Sequence, residues 1–219
     1  MSSHGPIRDG LRLFAQFIRR PGAIGAVVPS SAQLADRITA VGDVAHARVV
    51  VELGPGTGVI TSAIQRTLQP GATFFAIEAN AAFVEAMKVR HPDVTVHHDS
   101  AVAIRVWLEA HGHHSCDCIV SGLPFAAFPG PLQDEILAAI DDVLAPGGRL
   151  VTFAYLGGLC LPGGRRFRRR LRAEFANVST TSTVWRNVPP AFVYRALKPL
   201  AASPSEPALP VEDCATRIG

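Results

Sequence analysis

The chain has few features typical of a membrane-spanning, secreted or metal-binding protein. It contains no run of about 18 apolar residues, so the sequence predicts no transmembrane helix. The first ten residues show neither a long apolar run nor a cleavage pattern, and we expect no secretory signal. The four cysteines and eight histidines lack the ligand spacing of a zinc site. We therefore predict no metal, and we expect the cysteines to be reduced thiols of a cytoplasmic protein.

Lysine is also scarce, because Lys88 and Lys198 are the only two, and arginine carries the rest of the positive charge. The net charge of +3 is modest, but six arginines lie within residues 165–172, where Phe167 and Leu171 interrupt them. The cluster consists of Arg165, Arg166, Arg168, Arg169, Arg170 and Arg172. Such a segment is typical of a helix that binds anionic lipid headgroups, of a solvated face, or of a nucleic-acid patch.

What the chain does have is enough apolar sequence for one large domain, since 48% of its 219 residues are hydrophobic. From residue 47 onward, apolar runs alternate with segments of helical period. This alternation predicts a mostly parallel, doubly wound sheet with helices on both faces. We predict strands at 47–53, 73–77, 94–97, 117–121 and 149–155, and helices at 59–68, 81–89, 101–110 and 132–144. Two further strands, 179–185 and 191–197, are expected to form an antiparallel hairpin.

Two helices are predicted before the sheet, at 7–20 and from the Ser30-Ser31 cap to about residue 40. The first has a wide apolar face flanked by arginines, which is typical of a helix lying in a membrane interface or packed on a core. Its candidate membrane residues are Leu11, Phe14, Phe17, Ile18, Arg19 and Arg20. We therefore divide the chain into N-terminal helices (1–41), an α/β domain (42–198) and a tail (199–219) expected to be disordered.

A glycine loop follows the first strand of the sheet. It reads Glu52-Leu-Gly54-Pro-Gly56-Thr-Gly58, and glycines at this position allow a backbone to approach a ligand closely. Such a loop is a weak signal alone, because many nucleotide-binding proteins use a similar one. Glu78, at the end of the second strand, can accept hydrogen bonds from ribose hydroxyls. Asp99, after the third strand, can accept one from an adenine amino group.

The glycine loop, Glu78, Asp99 and the Pro-Gly-Gly before the fifth strand together resemble the class I S-adenosylmethionine-dependent methyltransferases. This resemblance implies a Rossmann-like fold and S-adenosylmethionine as cofactor. The residues it implies for cofactor binding are Glu52, Gly54, Gly56, Gly58, Glu78, Asp99, Ser100 and Ser121. The alternative is a nucleotide-binding or sugar-modifying doubly wound domain.

The segment Ser121-Gly-Leu-Pro-Phe125 follows the fourth strand, where doubly wound enzymes place reactive groups. Ribosomal RNA adenine dimethyltransferases have Asn-Leu-Pro-Tyr or a close relative there. Gly122 stands in place of that asparagine, and we expect no counterpart of the helical C-terminal domain of those enzymes. Both departures argue against an RNA substrate.

Several segments occur in an order that resembles the small bacterial phospholipid N-methyltransferases. They are Ala23–Ser31, the glycine loop, Ser121–Phe125, Phe153-Ala-Tyr155 and Arg186-Asn-Val-Pro-Pro-Ala191. The resemblance implies stepwise methylation of phosphatidylethanolamine towards phosphatidylcholine, with ornithine lipids and other aminolipids as alternatives. It further implies an enzyme on the inner face of the cytoplasmic membrane that binds anionic phospholipid and no nucleic acid.

For this chemistry we predict Tyr155, Ser121 and Asn187 as catalytic residues. Tyr155, Arg186 and Asn187 are the predicted headgroup contacts, with Arg186 paired to the lipid phosphate. Three alternatives stay open: an RNA base methyltransferase, a membrane-binding protein with a vestigial cofactor site, and a methyltransferase of quinones or other small molecules.

Overall fold

The computed structural model describes residues 31–200 of the chain. The predicted helix at 7–20, with all six candidate membrane residues from Leu11 to Arg20, lies outside the described residues, as does the tail from residue 201. Within residues 31–200 no helix is long and apolar enough to cross a bilayer.

The described chain folds into α-helices, β-strands and short 3₁₀ turns in close alternation. The helices are α1 (Ala32–Val41), α2 (Val59–Thr67), α3 (Ala81–Arg90), α4 (Ile104–Ala110), α5 (Gly130–Val143) and α6 (Pro162–Glu174). The strands are β1 (Val49–Leu53), β2 (Thr73–Glu78), β3 (Thr95–His98), β4 (Cys116–Ser121), β5 (Leu144–Tyr155), β6 (Asn177–Thr180) and β7 (Ala191–Leu197). The 3₁₀ turns cover Val44–His46, Ala101–Ala103, Phe125–Ala127 and Leu156–Cys160.

The seven strands form one sheet in the order β3-β2-β1-β4-β5-β7-β6. The first five are parallel, and β7 runs antiparallel between β5 and β6. This topology confirms the predicted class I methyltransferase fold with an antiparallel hairpin at its end. The strand order reverses between β1 and β4, and in doubly wound sheets a ligand crevice forms at the carboxyl ends of such neighbours.

Helices bury both faces of the sheet, which explains why the sequence of β1 is an unbroken apolar run. Val49, Val51 and Leu53 face the core shared with α4, α5 and α6. Val50 faces the opposite core, where α1 and α2 pack. The side chain of Ser31 caps α1 by accepting a hydrogen bond from the Leu34 N–H (3.2 Å), as predicted for that helix start.

The last predicted hairpin exists, but the bounds of its first strand were wrong. The strand is Asn177–Thr180 instead of 179–185, and beyond it only Val184 forms an isolated bridge, to Ala191. The cause is Thr181, whose hydroxyl oxygen accepts the Val193 N–H (3.1 Å) in place of a backbone carbonyl. A side chain that takes over a ladder hydrogen bond ends the regular strand pairing there.

Candidate active site

The glycine loop leaves β1 and turns into α2 with left-handed backbone at two positions that matter for the site. Gly58 has φ 83°, and a Cβ there would lie 2.4 Å from Nε2 of His91, so only glycine fits. Gly56 has φ 56°, yet a Cβ at this position would have no atom within 4 Å. The loop is therefore packed tightly at its helix end and has open space above Gly56.

Glu78 joins the end of β2 to this loop. Its two carboxylate oxygens accept hydrogen bonds from the N–H groups of Gly56 (3.2 Å) and Asn80 (2.9 Å). The side chain is buried, and burial raises its pKa even though these N–H groups favour the charged form. The structure therefore brings Glu78 and Gly56, both predicted as cofactor-binding residues, into direct contact.

Glu52 lies beneath the loop and is fully buried. One carboxyl oxygen accepts the Thr61 hydroxyl (2.7 Å), and the other, Oε1, has no partner among the described residues. Burial raises the pKa of Glu52 to about 8, and the nearby charge of Glu78 adds to that shift. From this position Glu52 can act on a ligand only through the loop backbone or a water molecule.

Asp99 follows the end of β3, the strand that pairs with β2 at Glu78. Its backbone N–H donates to the Glu78 carbonyl (3.1 Å). Its carboxylate accepts from the indole N–H of Trp107 (3.0 Å) and from the Ser100 N–H (2.7 Å). Trp107 in turn stacks on His97 with the ring centroids 3.8 Å apart. Trp107 was not predicted as a positioning residue, because its place in the sequence does not show that the indole reaches back to Asp99.

Some histidine and cysteine side chains pack inside the fold, whereas His46, His98, His114 and Cys160 are exposed. Burial lowers the pKa of His97 and His111, whose Nε2 atoms are 2.9 Å apart, and it raises the pKa of the Cys116 and Cys118 thiols. Within residues 31–200 no group of three or more histidine, cysteine or acidic side chains is arranged to hold a metal ion.

The segment after β4 packs directly against the glycine loop. The Gly122 N–H donates to the Leu53 carbonyl (2.8 Å), and a Cβ at Gly122 would lie only 2.5 Å from the Gly54 carbonyl oxygen. Ser121 is fully buried, with its hydroxyl oxygen 3.3 Å from the Leu123 N–H that it accepts. No side chain at position 122, asparagine included, fits without moving the loop.

Gln133 of α5 holds this segment from behind and was not predicted. Its fully buried amide nitrogen donates to the carbonyls of Phe125 (2.7 Å), Phe128 (3.2 Å) and Gly163 (3.2 Å). These bonds tie the end of the Ser121–Phe125 segment to the first turn of α6. A lone glutamine in an amphipathic helix carries no sequence signal for such a role.

Tyr155 ends β5 and pairs with Ala191, so the loop that carries Arg186 and Asn187 leads into the strand beside it. Tyr155 is half-buried, and burial raises its pKa, so its hydroxyl is neutral at physiological pH. Asn187 is buried, and its amide accepts the Ser31 N–H (2.8 Å) and donates to the Pro189 carbonyl (2.7 Å). These bonds make Asn187 a positioning residue for its loop, and its contact with a headgroup stays a prediction. Arg186 is exposed and forms no ion pair with a described residue.

Residues 50–148 of the chain match the family model described as a methyltransferase domain. The ornithine lipid N-methyltransferase of Singulisphaera acidiphila is 29% identical to this chain over 191 residues. That alignment covers 86% of this chain and 95% of the relative.

Two solved methyltransferases share the fold over most of their length. One is the O-methyltransferase TomG of Streptomyces achromogenes in complex with SAM (TM-score 0.62, 19% identity, 90% of this chain and 91% of that chain). The other is an O-methyltransferase of Bacillus cereus in complex with SAH (TM-score 0.61, 16% identity, 90% and 93%). At these identities the likeness concerns the fold alone. Residues 50–148 are therefore similar to a methyltransferase domain, and the sheet that contains them has the class I methyltransferase fold.

Proposed function

We propose that the protein is an S-adenosylmethionine-dependent N-methyltransferase acting on the amino group of a membrane lipid, with ornithine lipid as its first candidate substrate. The observation that carries this proposal is the similarity to an ornithine lipid N-methyltransferase over 86% of this chain. From the sequence alone, phosphatidylethanolamine is the first candidate substrate and ornithine lipid the second. The relative favours the second, so phosphatidylethanolamine becomes the alternative substrate within the same class.

The methyltransferase domain and the SAM and SAH complexes of the two structural neighbours support S-adenosylmethionine as cofactor. The residues of this chain fit such a molecule. The space above Gly56 is open, Glu78 and Asp99 present carboxylates at adjacent strand ends, and Oε1 of Glu52 is buried without a partner. In the proposal Glu78 holds the ribose hydroxyls, Asp99 the adenine amino group, and the glycine loop the rest of the molecule.

S-adenosylmethionine supplies a methyl group on a sulfonium, so that transfer forms an N–C bond, breaks the S–C bond and releases S-adenosylhomocysteine. The attacking amine must be neutral, whereas a primary ammonium has a reference pKa of about 10. An amine that leaves water for the half-buried surroundings of Tyr155 has a lowered pKa. The neutral hydroxyl of Tyr155 can then hold the amine by a hydrogen bond while the displaced proton goes to solvent.

The geometry at Gly122 supports a lipid amine over an RNA adenine. Enzymes that methylate adenine use an asparagine at the matching position to bind the planar amino group. Here the backbones of the glycine loop and the Ser121–Phe125 segment approach so closely that a side chain at 122 would overlap the Gly54 carbonyl. A flexible aliphatic amine, which needs positioning more than planar recognition, suits this site better.

The test is methyl transfer from labelled S-adenosylmethionine to three separate substrates: vesicles containing ornithine lipid, vesicles containing phosphatidylethanolamine, and an RNA transcript. Chromatography of the extracted lipid is expected to show mono-, di- or trimethylated ornithine lipid. Label in phosphatidylethanolamine alone would make phosphatidylethanolamine the substrate instead of ornithine lipid. Label only in RNA, or no label from a protein that binds the cofactor, would refute the aminolipid proposal.

A further inference from the structure

Helix α6 presents its six arginines on two different faces, and a third face is buried. Phe167 and Leu171 are the apolar residues of the buried face and belong to the core beneath the sheet. At the start of the helix the backbone is in close contact with its neighbours, since a Cβ at Gly163 would lie 2.2 Å from the Ala126 carbonyl oxygen. The helix is therefore fixed in its rotation, and the outward direction of each arginine is set.

Arg166 and Arg170 hold α6 against α5. Both guanidinium groups reach the carboxylate of Asp134, at 2.6 Å and 2.8 Å. Arg170 also lies 3.6 Å from the carboxylate of Glu174. These two arginines have partners within the fold and are not available to a ligand.

The other four arginines form a separate stripe, Arg165, Arg168, Arg169 and Arg172. They lie at spacings i, i+3, i+4 and i+7, which places them on one side of a helix. All four are exposed, and none forms an ion pair with a described residue. Four like charges at this spacing repel one another, so the stripe destabilises the isolated helix and is complementary to an anionic surface.

Exposed apolar side chains lie directly before the stripe and in the loop before β7. Leu161 is 37% exposed and stands one turn before Arg165, whose N–H donates to its carbonyl (3.0 Å). Trp185 and Val188, at 72% and 67%, lie in the loop before β7. This loop contacts the segment after β5 through the Leu156 N–H and the Pro190 carbonyl (3.0 Å). Leu161 and the loop bearing Trp185 and Val188 are thus both joined to the segment that follows β5 at Tyr155.

We infer that the arginine stripe of α6 and the loop bearing Trp185 and Val188 form one surface that lies on a bilayer of anionic lipid. The stripe binds the headgroup phosphates, and Trp185 and Val188 enter the interface, where tryptophan is favoured. Nucleic acid would use the arginines but would gain nothing from an exposed valine and leucine. The inference builds on the proposed lipid substrate, because this surface brings the end of β5 to the headgroups.

The experiment measures binding of the full chain to vesicles of phosphatidylglycerol and phosphatidylcholine, which contain no aminolipid. The variant Arg165→Gln/Arg169→Gln removes two charges of the stripe, and Arg37→Gln/Arg48→Gln removes two exposed charges elsewhere. One arginine near an anionic surface contributes about fivefold to partitioning, so the stripe variant is expected to bind about 25-fold more weakly. The control variant is expected to change less than about threefold, since charges far from the surface are screened.

A second measurement follows Trp185 directly. The chain has two tryptophans, so Trp107→Phe leaves Trp185 alone. Its fluorescence is expected to shift to shorter wavelength and to be quenched by brominated lipid on vesicle binding. Equal binding by the stripe and control variants would overturn the inference. So would an unquenched Trp185, or stripe-dependent binding of an oligouridylate without stripe-dependent vesicle binding.

Methylation of aminolipid dispersed in neutral detergent micelles separates this inference from the proposed function. The stripe variant is expected to keep wild-type activity in micelles while losing activity on anionic vesicles. A wild-type protein that methylates no aminolipid, yet binds vesicles through the stripe, would refute the proposed function and leave the membrane surface standing.

Discussion

Replacing Gly56 by valine tests whether the open space above the glycine loop is the cofactor site. A Cβ at this position meets no protein atom within 4 Å, so the substitution creates no clash inside the fold. Its structural cost comes from the backbone, since φ is 56° and a left-handed conformation costs a residue with a Cβ about 1–2 kcal/mol. For a chain of this size that corresponds to a loss of about 2–8 °C in melting temperature.

The same substitution is also expected to weaken cofactor binding. A cofactor in contact with the loop backbone must overlap the two methyl groups of the new side chain. Overfilling a well-packed site costs typically about 1–3 kcal/mol, which is roughly 5- to 150-fold in affinity. Isothermal titration calorimetry with S-adenosylmethionine and S-adenosylhomocysteine measures this loss.

Gly71 offers a matched control. It also has a left-handed φ of 85° and no atom within 4 Å of a Cβ. It lies in the turn before β2, at the amino end of the strands, whereas the glycine loop lies at their carboxyl end. Gly71→Val is expected to lose similar stability and to bind the cofactor like the wild type. A folded Gly56→Val variant that binds as tightly as Gly71→Val would show that the cofactor does not lie over the loop.

Three further predictions concern other parts of the chain. The pKa of Glu52 is raised from 4.5 to about 8 in the folded protein, so the folded state holds this proton more tightly than the unfolded one and stability falls as pH rises between these values. Chemical denaturation at several pH values between 5 and 8 gives the free energy of unfolding as a function of pH. In Glu52→Gln this free energy is expected to fall less steeply with pH than in the wild type, by up to about 1.4 kcal/mol per pH unit, and an unchanged slope would contradict the raised pKa. Gln133→Leu removes the amide that holds three carbonyls and is expected to cost about 1–3 kcal/mol in urea denaturation and to lower methyl transfer more than cofactor affinity. Equal losses in methyl transfer and in cofactor affinity would argue that Gln133 only stabilises the fold. Phe14→Glu/Phe17→Glu, outside the described residues, is expected to reduce flotation with anionic vesicles at unchanged cofactor affinity, and unchanged flotation would leave the first helix no part in membrane binding.

Much of this protein follows from local sequence. The apolar runs, the cap at Ser31 and the glycines of the loop determined the parallel strands, the start of α1 and the position of the glycine turn. They could do so because strand burial, capping and left-handed backbone depend on residues adjacent in the chain. The class of enzyme was also readable, since the glycine loop, Glu78 and Asp99 stand at fixed places relative to successive strands.

The sequence did not determine the contacts that join distant segments. The bond of Asn187 to Ser31, the hold of Gln133 on the segment after β4, and the link from Trp107 to Asp99 all depend on how helices pack across the sheet. The arginine cluster shows the same division. Its composition indicated a basic surface, but only the packing of α6 on α5 decided that Asp134 neutralises two arginines and that four remain exposed on one side. A pairing between helices is set by their relative rotation, which no local pattern encodes.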